Sequence, residues 1–340
     1  MPPSDKTLEI HTSPHIASGT SVDIIMRNVV LALLPACAFA VYVFGLTALL
    51  TLTAATLSCL VTEHLLCRAR GDTSTLGDWS VAVTGLLYGL TLPPGLPLWM
   101  VVVGGIVAVG LGKFLFGGLG YNAFNPALVG RAFLQAAFPV AMTTWYAPLG
   151  GDRFTSLPSS TLTLPFASPV YDVVTGATPL AAMKFDGEVT AAAELVMGLT
   201  SGSTGETGSL LILLGGAYLI ARNMMNWRIP CAIFVTVFVI SGIFCLVDPV
   251  AYPSPVFMLF AGGLMLGAVF MATDMVASPL TGLGCVLYGT LIGALVVAIR
   301  LWGGLPEGVM YAILIANAVS PHIDSLIQPR VYGARKPGAP

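Results

Sequence analysis

Residues 229–247 read IPCAIFVTVFVISGIFCLV, a run of nineteen positions without a charged side chain. A helix that crosses the roughly 30 Å hydrocarbon core of a bilayer needs about 20 apolar residues. The whole chain shares this character, since hydrophobic residues make up 56% and charged residues only 9% of its 340 positions. Soluble domains carry about 25% charged residues. The sequence therefore predicts a protein that lies mostly in lipid.

Apolar runs of this kind predict an all-α, polytopic membrane protein with about ten transmembrane helices. The predicted spans are 28–46, 48–67, 79–92, 97–116, 121–142, 209–222, 229–247, 255–273, 282–300 and 306–320. Gly and Pro interrupt several of them, as at residues 91–95 and 277–279. Non-helical backbone at membrane depth is tolerated only where it is buried in protein or lines a cavity. We therefore expect broken helices around an interior site.

The two halves of the chain share their pattern of interruptions. Residues 91–97 have a loose counterpart in 273–279, and Asn125-Pro126-Ala127 resembles Asn317-Ala318 with Pro321. Five spans on either side of an outer segment would leave the second half upside down relative to the first. The pattern thus predicts two inverted five-helix repeats, an architecture that places ion and substrate sites near the midplane.

The basic residues predict the orientation of the chain. With the N-terminus inside, ten Lys and Arg residues fall on inner segments and three on outer ones, and basic loops favour the cytoplasm. We expect a multi-pass protein of a bacterial inner membrane with both termini cytoplasmic. Its predicted parts are a cytoplasmic N-terminal segment (1–26), a first membrane half (27–142), a periplasmic loop (143–208), a second membrane half (209–321) and a cytoplasmic tail (322–340).

Several function classes receive no support from the composition. The net charge of −2 gives no reason to propose nucleic-acid binding. Residues 1–20 lack the apolar run of a signal peptide, so the first span is expected to be a retained anchor. The six cysteines form no C-x-x-C pair, which argues against a metal site, a disulfide framework or an iron–sulfur cluster built by this chain alone.

One motif stands out in the outer segment, where residues 172–180 read Asp-Val-Val-Thr-Gly-Ala-Thr-Pro-Leu. Gly176 and Ala177 leave little bulk beside Thr178, and Pro179 restricts Thr178 to extended conformations. The Thr178 hydroxyl could thus be presented at a kink. The alternatives are a chance arrangement of small residues and, for the segment as a whole, a disordered linker.

This motif resembles the site where a flavin transferase joins FMN, through its phosphate, to a threonine hydroxyl. Such a linkage is typical of the family that contains the D subunit of the Rnf ferredoxin:NAD+ oxidoreductase and the B subunit of the Na+-translocating NADH:quinone reductase. The resemblance implies that Thr178 carries covalent FMN as a phosphoryl threonine. It also implies a surrounding cofactor and recognition site made of Asp172, Thr175, Gly176, Ala177, Pro179 and Leu180.

The resemblance covers nearly the whole chain. It includes residues 13–16, 27–36, 113–127, 130–133 and 270–274. The length and the short N-terminal segment are closer to the Rnf D subunit than to the quinone-reductase B subunit. Two positions depart from the family pattern, because Thr175 stands where serine is frequent and Met275 follows Asp274 where proline is common.

The resemblance implies a translocase subunit that relays electrons between ferredoxin and NAD+, coupled to Na+ or H+ translocation. It implies further partners, namely the other Rnf subunits, including a second flavin-carrying subunit and iron–sulfur subunits, and the flavin transferase. No catalytic residue and no complete active site is predicted within this chain. A second, non-covalent flavin, riboflavin, is also implied within the membrane. Residues 117–131 are its candidate neighbourhood, although their Gly and Asn residues could equally allow close helix packing.

Three acidic residues are candidates for the ion path, namely Glu63, Asp274 and Asp324. Acids in membrane spans are costly, so their default interpretation is functional. Glu63 could instead pair with a neighbouring basic residue, and Asp324 could be a solvated helix end. Asp274 lies beside the interruption at 277–279 and is the strongest of the three.

Three other functions remain open from the sequence. The quinone-reductase B subunit has similar chemistry but a longer N-terminus. A flavin-free channel or transporter would explain the spans and leave the Asp172–Thr178 pattern as coincidence. A structural membrane scaffold explains still less, and covalent flavin would separate the two flavin-free functions from the flavoproteins.

Overall fold

The computed structural model describes residues 21–71, 75–165, 167, 176–249 and 251–329. Within them the backbone forms α-helices, short 3-10 and π-helical turns and connecting segments, with no β-strand among the described residues. The α-helices are α1 Val22–Phe44, α2 Leu46–Arg70, α3 Ser80–Leu90, α4 Leu98–Gly110, α5 Pro126–Ala137, α6 Pro139–Met142, α7 Pro179–Ala181, α8 Ala192–Met197, α9 Ser209–Ala221, α10 Arg228–Val247, α11 Pro255–Phe260, α12 Leu264–Leu266, α13 Gly282–Trp302 and α14 Val309–Leu326.

Six helical segments of the described chain are long and apolar enough to cross a membrane. They are α1, α2, α4 with the turn that follows it, α10, α13 and α14. Helices α3 and α9 are apolar but shorter. The chain is thus an all-α, multi-pass membrane protein, as predicted from its apolar runs.

The helix pairings of one half recur in the other. Helix α2 packs on α3 and α4, and α4 packs on α5. In the same way α10 packs on α11 and α13, and α13 packs on α14. This is the arrangement that two five-helix repeats would give, and the repeat and the count of ten spans stay predictions.

Two predicted spans are not continuous helices. The predicted span 121–142 begins its helix only at Pro126, because Asn125 Oδ1 accepts from the backbone N–H groups of Ala127 and Leu128. Proline at the first position of a capped helix fits this start. In the predicted span 255–273, α11 ends at Phe260, and α12 and a π-helical turn over Gly267–Met271 follow.

Glycines bring α13 into backbone contact with α10. A Cβ atom on Gly289 would lie 2.8 Å from the carbonyl oxygen of Ile229, and one on Gly293 would lie 3.0 Å from that of Ile233. Small residues at such spacing let membrane helices approach closely. This seam fixes α13, whose last residues border the site described below.

The two ends of the bundle can be told apart by their contacts. We call the end where α1 begins the inner end, and the end where α1 meets α2 the outer end. At the inner end, Asp324 near the end of α14 accepts from the N–H of Leu280, just before α13. At the outer end, Leu46 N–H donates to Arg153 and Leu98 N–H donates to Thr161, so residues 143–165 cover this end.

Candidate functional site

A cavity of about 480 Å³ opens beside Thr178 at the outer end. We call it the outer cavity. Its walls come from α5, from the motif segment and from the turn between α13 and α14. Its volume is within the range of small-molecule and cofactor sites. The lining residues are Arg131, Gln135, Met142, Thr143, Trp145, Gly176, Ala177, Thr178, Ala181, Phe185, Leu305, Pro306, Glu307, Met310 and Tyr311.

Thr178 caps the start of a short helical stretch. Its backbone is extended, with φ −69° and ψ 153°, as the following Pro179 predicts. The Thr178 hydroxyl oxygen accepts from the N–H of Ala181 at 3.2 Å. The residue is only 7% exposed, so its hydroxyl faces the cavity wall rather than open solvent.

Of the other site residues predicted in the motif, four are described by the structure and two are not. A Cβ atom on Gly176 would meet the Ser201 hydroxyl, so a larger residue there would require the Ser201 side chain to move. Ala177 lines the cavity, and Pro179 and Leu180 are buried beneath it. The predicted residues Asp172 and Thr175 lie outside the described residues.

Lys184 lies just after the motif and connects this part of the chain to the end of α13 by hydrogen bonds. Its ammonium donates to the carbonyl oxygens of Ile299, Arg300, Gly303 and Leu305, at 3.3, 2.9, 2.5 and 3.2 Å. These carbonyls belong to the last turn of α13 and the turn after it, where a positive charge is favoured. Lys184 therefore holds two walls of the outer cavity together.

Arg131 brings a positive charge to the outer cavity. It lies on α5, is 8% exposed, and its Nε has no hydrogen-bond partner among the described residues. A buried donor without a partner costs about 1–3 kcal/mol. Its position in the fifth predicted span gave no sign that it would face Thr178, since the two are distant in sequence. The guanidinium suits an anionic group placed in the cavity.

A second arginine holds the break between α11 and α12. Arg300, 1% exposed, donates to the carbonyl oxygens of Met258 and Ala261 at 2.5 and 2.8 Å. It also contacts Glu307 at 3.4 Å, and Glu307 accepts from the N–H of Gly263 at 3.2 Å. The Arg300–Glu307 pair thus satisfies backbone groups on both sides of the break and borders the outer cavity.

Glu206 is a buried acid behind this cavity, in the non-helical segment before α9. The hydroxyl of Ser203 donates to its carboxylate at 2.8 Å. Burial, followed by the charge of Glu307, raises the pKa of Glu206 to about 7, while Ser203 and Arg131 oppose the rise. Glu206 is not among the residues that the sequence singled out. The Ser203-x-x-Glu206 spacing before an apolar run was the signal that could have singled it out.

A second cavity, of about 470 Å³, lies at the inner end, and we call it the inner cavity. It includes part of the predicted riboflavin neighbourhood, residues 117–131. Its walls combine apolar side chains with a few polar groups, the usual make-up of a ligand site. The lining residues are Val22, Ile25, Met26, Val29, Ser80, Val83, Thr84, Leu87, Lys113, Leu119, Gly120, Asn122, Asn125, Pro126, Leu219, Met224, Met225, Phe270, Thr273, Asp274, Met275 and Val276.

Glu63 forms a closed ion pair beside the inner cavity. Lys113 Nζ donates to both Glu63 oxygens, at 2.9 and 2.7 Å, and to the Ser80 hydroxyl at 2.7 Å. The hydroxyl of Thr75 also donates to Glu63. Sequence proximity had pointed to His64, Arg68 or Arg70 as partners, whereas the bidentate partner Lys113 comes from α4's end. The charge of Glu63 is therefore balanced within the protein.

Asp274 and Asp324 differ in their surroundings. Asp274 lines the inner cavity, where it accepts from Asn122 at 3.2 Å and from the N–H of Val276 at 3.0 Å. Asp324 accepts from the N–H of Leu280 at 3.0 Å and does not line either cavity. Of the three predicted acids, only Asp274 lines the inner cavity, Glu63 lies behind its lining residue Lys113, and Asp324 has a local structural contact.

Comparisons with known proteins agree over the whole length. The family model described as NQR2, RnfD, RnfE matches residues 9–333. The D subunit of the proton-translocating ferredoxin:NAD(+) oxidoreductase complex of Clostridium ljungdahlii is 41% identical, with 96% of both chains covered. The D subunit of the Na(+)-translocating complex of Acetobacterium woodii is 39% identical over 98% of both chains. The D subunit of an ion-translocating oxidoreductase complex of Halorhodospira halophila is 39% identical, covering 98% of this chain and 97% of its own.

Proposed function

The chain belongs to the NQR2, RnfD, RnfE family, and from this premise we propose that it carries covalent FMN in an ion-translocating ferredoxin:NAD+ oxidoreductase. The observation that supports this most directly is the outer cavity. It combines a buried threonine with an arginine whose Nε has no hydrogen-bond partner among the described residues. The family resemblance inferred from the motif and the flanking segments is confirmed by the comparisons.

In this proposal Thr178 is an attachment point rather than a nucleophile in turnover. The Thr178 hydroxyl oxygen would hold the phosphate of FMN as a diester with one remaining negative charge, and the Arg131 guanidinium would bind that charge. Charge-assisted hydrogen bonds of this kind are stronger than neutral ones. FMN supplies the one-electron chemistry, and the protein sets its position and potential. Gly176 leaves room at the tether, and Lys184 keeps the walls in place.

The inner cavity is the site we propose for the second, non-covalent flavin. Asn122 offers an amide group to a polar ring edge, and Met224, Met225 and Phe270 offer an apolar surface. Helix α5 begins at the inner cavity with Pro126 and reaches the outer cavity with Arg131. At 1.5 Å rise per residue, these two positions are separated by about 8 Å along the helix. One short helix therefore connects both proposed flavin sites.

Asp274 is the residue we propose for cation uptake. Its carboxylate faces the inner cavity with an amide and backbone N–H groups as partners, whereas the charge of Glu63 is balanced by Lys113. Oxygen ligands and a negative charge suit both Na+ and H+. One relative is named for protons and another for Na+, and the proposal holds for either ion.

Partners and orientation complete the proposed function. Soluble electron carriers would be supplied by other subunits of the complex, including iron–sulfur subunits and a second flavin-carrying subunit. The excess of basic residues on inner segments supports cytoplasmic termini and a periplasmic flavin segment in a bacterial inner membrane. The inner end of the bundle is then cytoplasmic.

Fluorescence on a denaturing gel tests the proposal. The chain is co-expressed with a flavin transferase of known activity, and wild type is compared with Thr178→Val and Thr143→Val. Thr143 lines the same cavity, so its variant is a matched control. We expect fluorescent bands for wild type and Thr143→Val and a dark band for Thr178→Val. A dark wild-type band would contradict the proposal and favour a flavin-free transporter.

The proposed ion site needs its own comparison. Asp274→Asn should abolish the stimulation of electron transfer by the coupling ion in the assembled complex. Asp324→Asn should leave it intact, since an asparagine oxygen can still accept from Leu280. Equal loss in both variants would contradict the assignment of Asp274.

A further inference from the structure

Glu206 is an ionisable group to which the proposed function assigns no role. It is 7% exposed and belongs to residues 202–208, a non-helical stretch that is buried throughout. This stretch packs against the core, since Gly205 N–H donates to the carbonyl of Leu90 at 2.6 Å. A Cβ atom on Gly202 would collide with the Glu206 carboxylate. The carboxyl group is therefore held in one place, with only a small part of the residue exposed.

The charges around Glu206 come from three other elements. Arg131 on α5 and Glu307 on the turn before α14 both act on it, and both line the outer cavity. Arg300 on α13 already pairs with Glu307. On its own segment, Ser203 donates to the carboxylate, with its hydroxyl at 2.8 Å. Glu206 thus lies within electrostatic reach of the proposed flavin site without an ion-pair partner of its own among the described residues.

We propose that Glu206 takes up a proton when the flavin at Thr178 gains an electron. This inference rests on the proposed function, because it requires a redox group in the outer cavity. An electron added to a buried site is stabilised when a proton enters the same region, since uncompensated charge is costly away from water.

The step balances in charge and atoms. A partner flavin or iron–sulfur centre delivers one electron, which adds one negative charge to the cavity. The Glu206 carboxylate binds one proton from water at the outer end and becomes a neutral carboxylic acid. Reoxidation reverses both transfers, so the proton leaves when the electron leaves.

Burial holds the pKa of Glu206 near 7 without a flavin, so both protonation states are accessible near neutrality. An added negative charge raises that pKa, because it disfavours the carboxylate. Between the pKa of the oxidised state and that of the reduced state, reduction therefore binds a proton. In this window the midpoint potential of the flavin falls as pH rises.

A potentiometric titration of the covalent FMN in the intact complex tests this, at a series of pH values around neutrality. Wild type is compared with Glu206→Gln, which keeps the side-chain shape, and with Glu188→Gln, an exposed acid of the same outer segment. We expect the midpoint potential of Glu206→Gln to vary less with pH than that of wild type. The midpoint potential of Glu188→Gln should vary with pH as in wild type. Equal slopes in all three proteins would overturn the inference.

Ser203→Ala provides a second test that leaves the acid in place. The Ser203 hydroxyl lowers the pKa of Glu206, so its removal should move the pH-dependent window to higher pH. If the pH range in which the midpoint potential changes is the same in Ser203→Ala and wild type, the inference is wrong. This holds even if the Glu206→Gln protein fails to insert into the membrane. Gel fluorescence separates this failure from that of the proposed function, because a fluorescent band with an unchanged slope contradicts only the role of Glu206.

Discussion

The two cavities contain buried basic residues in opposite circumstances. Beside the inner cavity, Lys113 is 5% exposed and binds both oxygens of Glu63. In the outer cavity, Arg131 is similarly buried, yet its Nε has no partner among the described residues. The inner pair cancels its own charge, and Asp274 is left as the negative group of that cavity. The outer cavity keeps a positive charge for an anion.

The two basic residues therefore have different roles. Lys113 belongs to a structural ion pair, whereas Arg131 is placed to bind an anionic ligand. A buried pair with saturated hydrogen bonds has little to offer a ligand. A buried guanidinium without a full set of acceptors is a cost to the fold, and such groups call for an explanation. An FMN phosphodiester at Thr178 would provide that explanation. Substitutions at the inner ion pair and at the outer arginine test this comparison.

The largest effect is expected from breaking the inner pair. Glu63→Gln leaves the Lys113 ammonium buried without its counter-charge, which typically costs about 3–5 kcal/mol. Thermal unfolding in detergent should show a large fall in stability. The double variant Glu63→Gln with Lys113→Met removes both charges and should recover most of it. If the double variant is as unstable as the single one, the pair is not the source of the stability.

A smaller effect is expected from removing the outer charge. Arg131→Met should weaken the hold on the phosphodiester by about 1.5–3 kcal/mol, the range for hydrogen bonds to charged groups. The measurement is the flavinylated fraction after a short reaction with limiting transferase. Arg131→Lys should retain part of this fraction, and Gln135→Met, on the same cavity wall, should retain all of it. Equal fractions in all variants would remove the contrast between the two cavities.

The smallest effect is expected at the edge of the inner pair. Thr75→Val deletes one hydrogen bond to Glu63 and leaves the bond to Lys113, so we expect a loss of about 1 kcal/mol. The same thermal assay measures it, with Thr53→Val on the exposed face of α2 as the control. A loss as large as that of Glu63→Gln would mean that Thr75, rather than Lys113, keeps Glu63 in place.

Long apolar runs and the local motif were readable from the sequence, because both depend on neighbouring residues. The runs predicted α1, α2, α10, α13 and α14, and Pro179 predicted the extended backbone of Thr178. The breaks were harder to place. The end of α11 depends on Arg300, which supplies donors to its last carbonyls from another helix.

The other walls of the outer cavity could not be predicted for the same reason. Arg131 and Glu307 reach the outer cavity from elements that are remote in sequence. Lys113 is likewise remote from Glu63, so nearby arginines looked like better partners. Glu206 was hidden among acids of an outer segment, although the packing of residues 202–208 sets it apart from exposed Glu188.

One wall of the outer cavity is made of residues that the ribosome adds long after Thr178. Thr178 emerges well before Leu305, Glu307 and Tyr311, which close the cavity around it. A transferase that acts during membrane insertion meets an open threonine, whereas one that acts on the finished chain meets a residue that is 7% exposed. If FMN is attached at Thr178 as proposed, its attachment would compete with the insertion of the last helix. The speed of translation past Thr178 would then set how much of the protein can carry electrons.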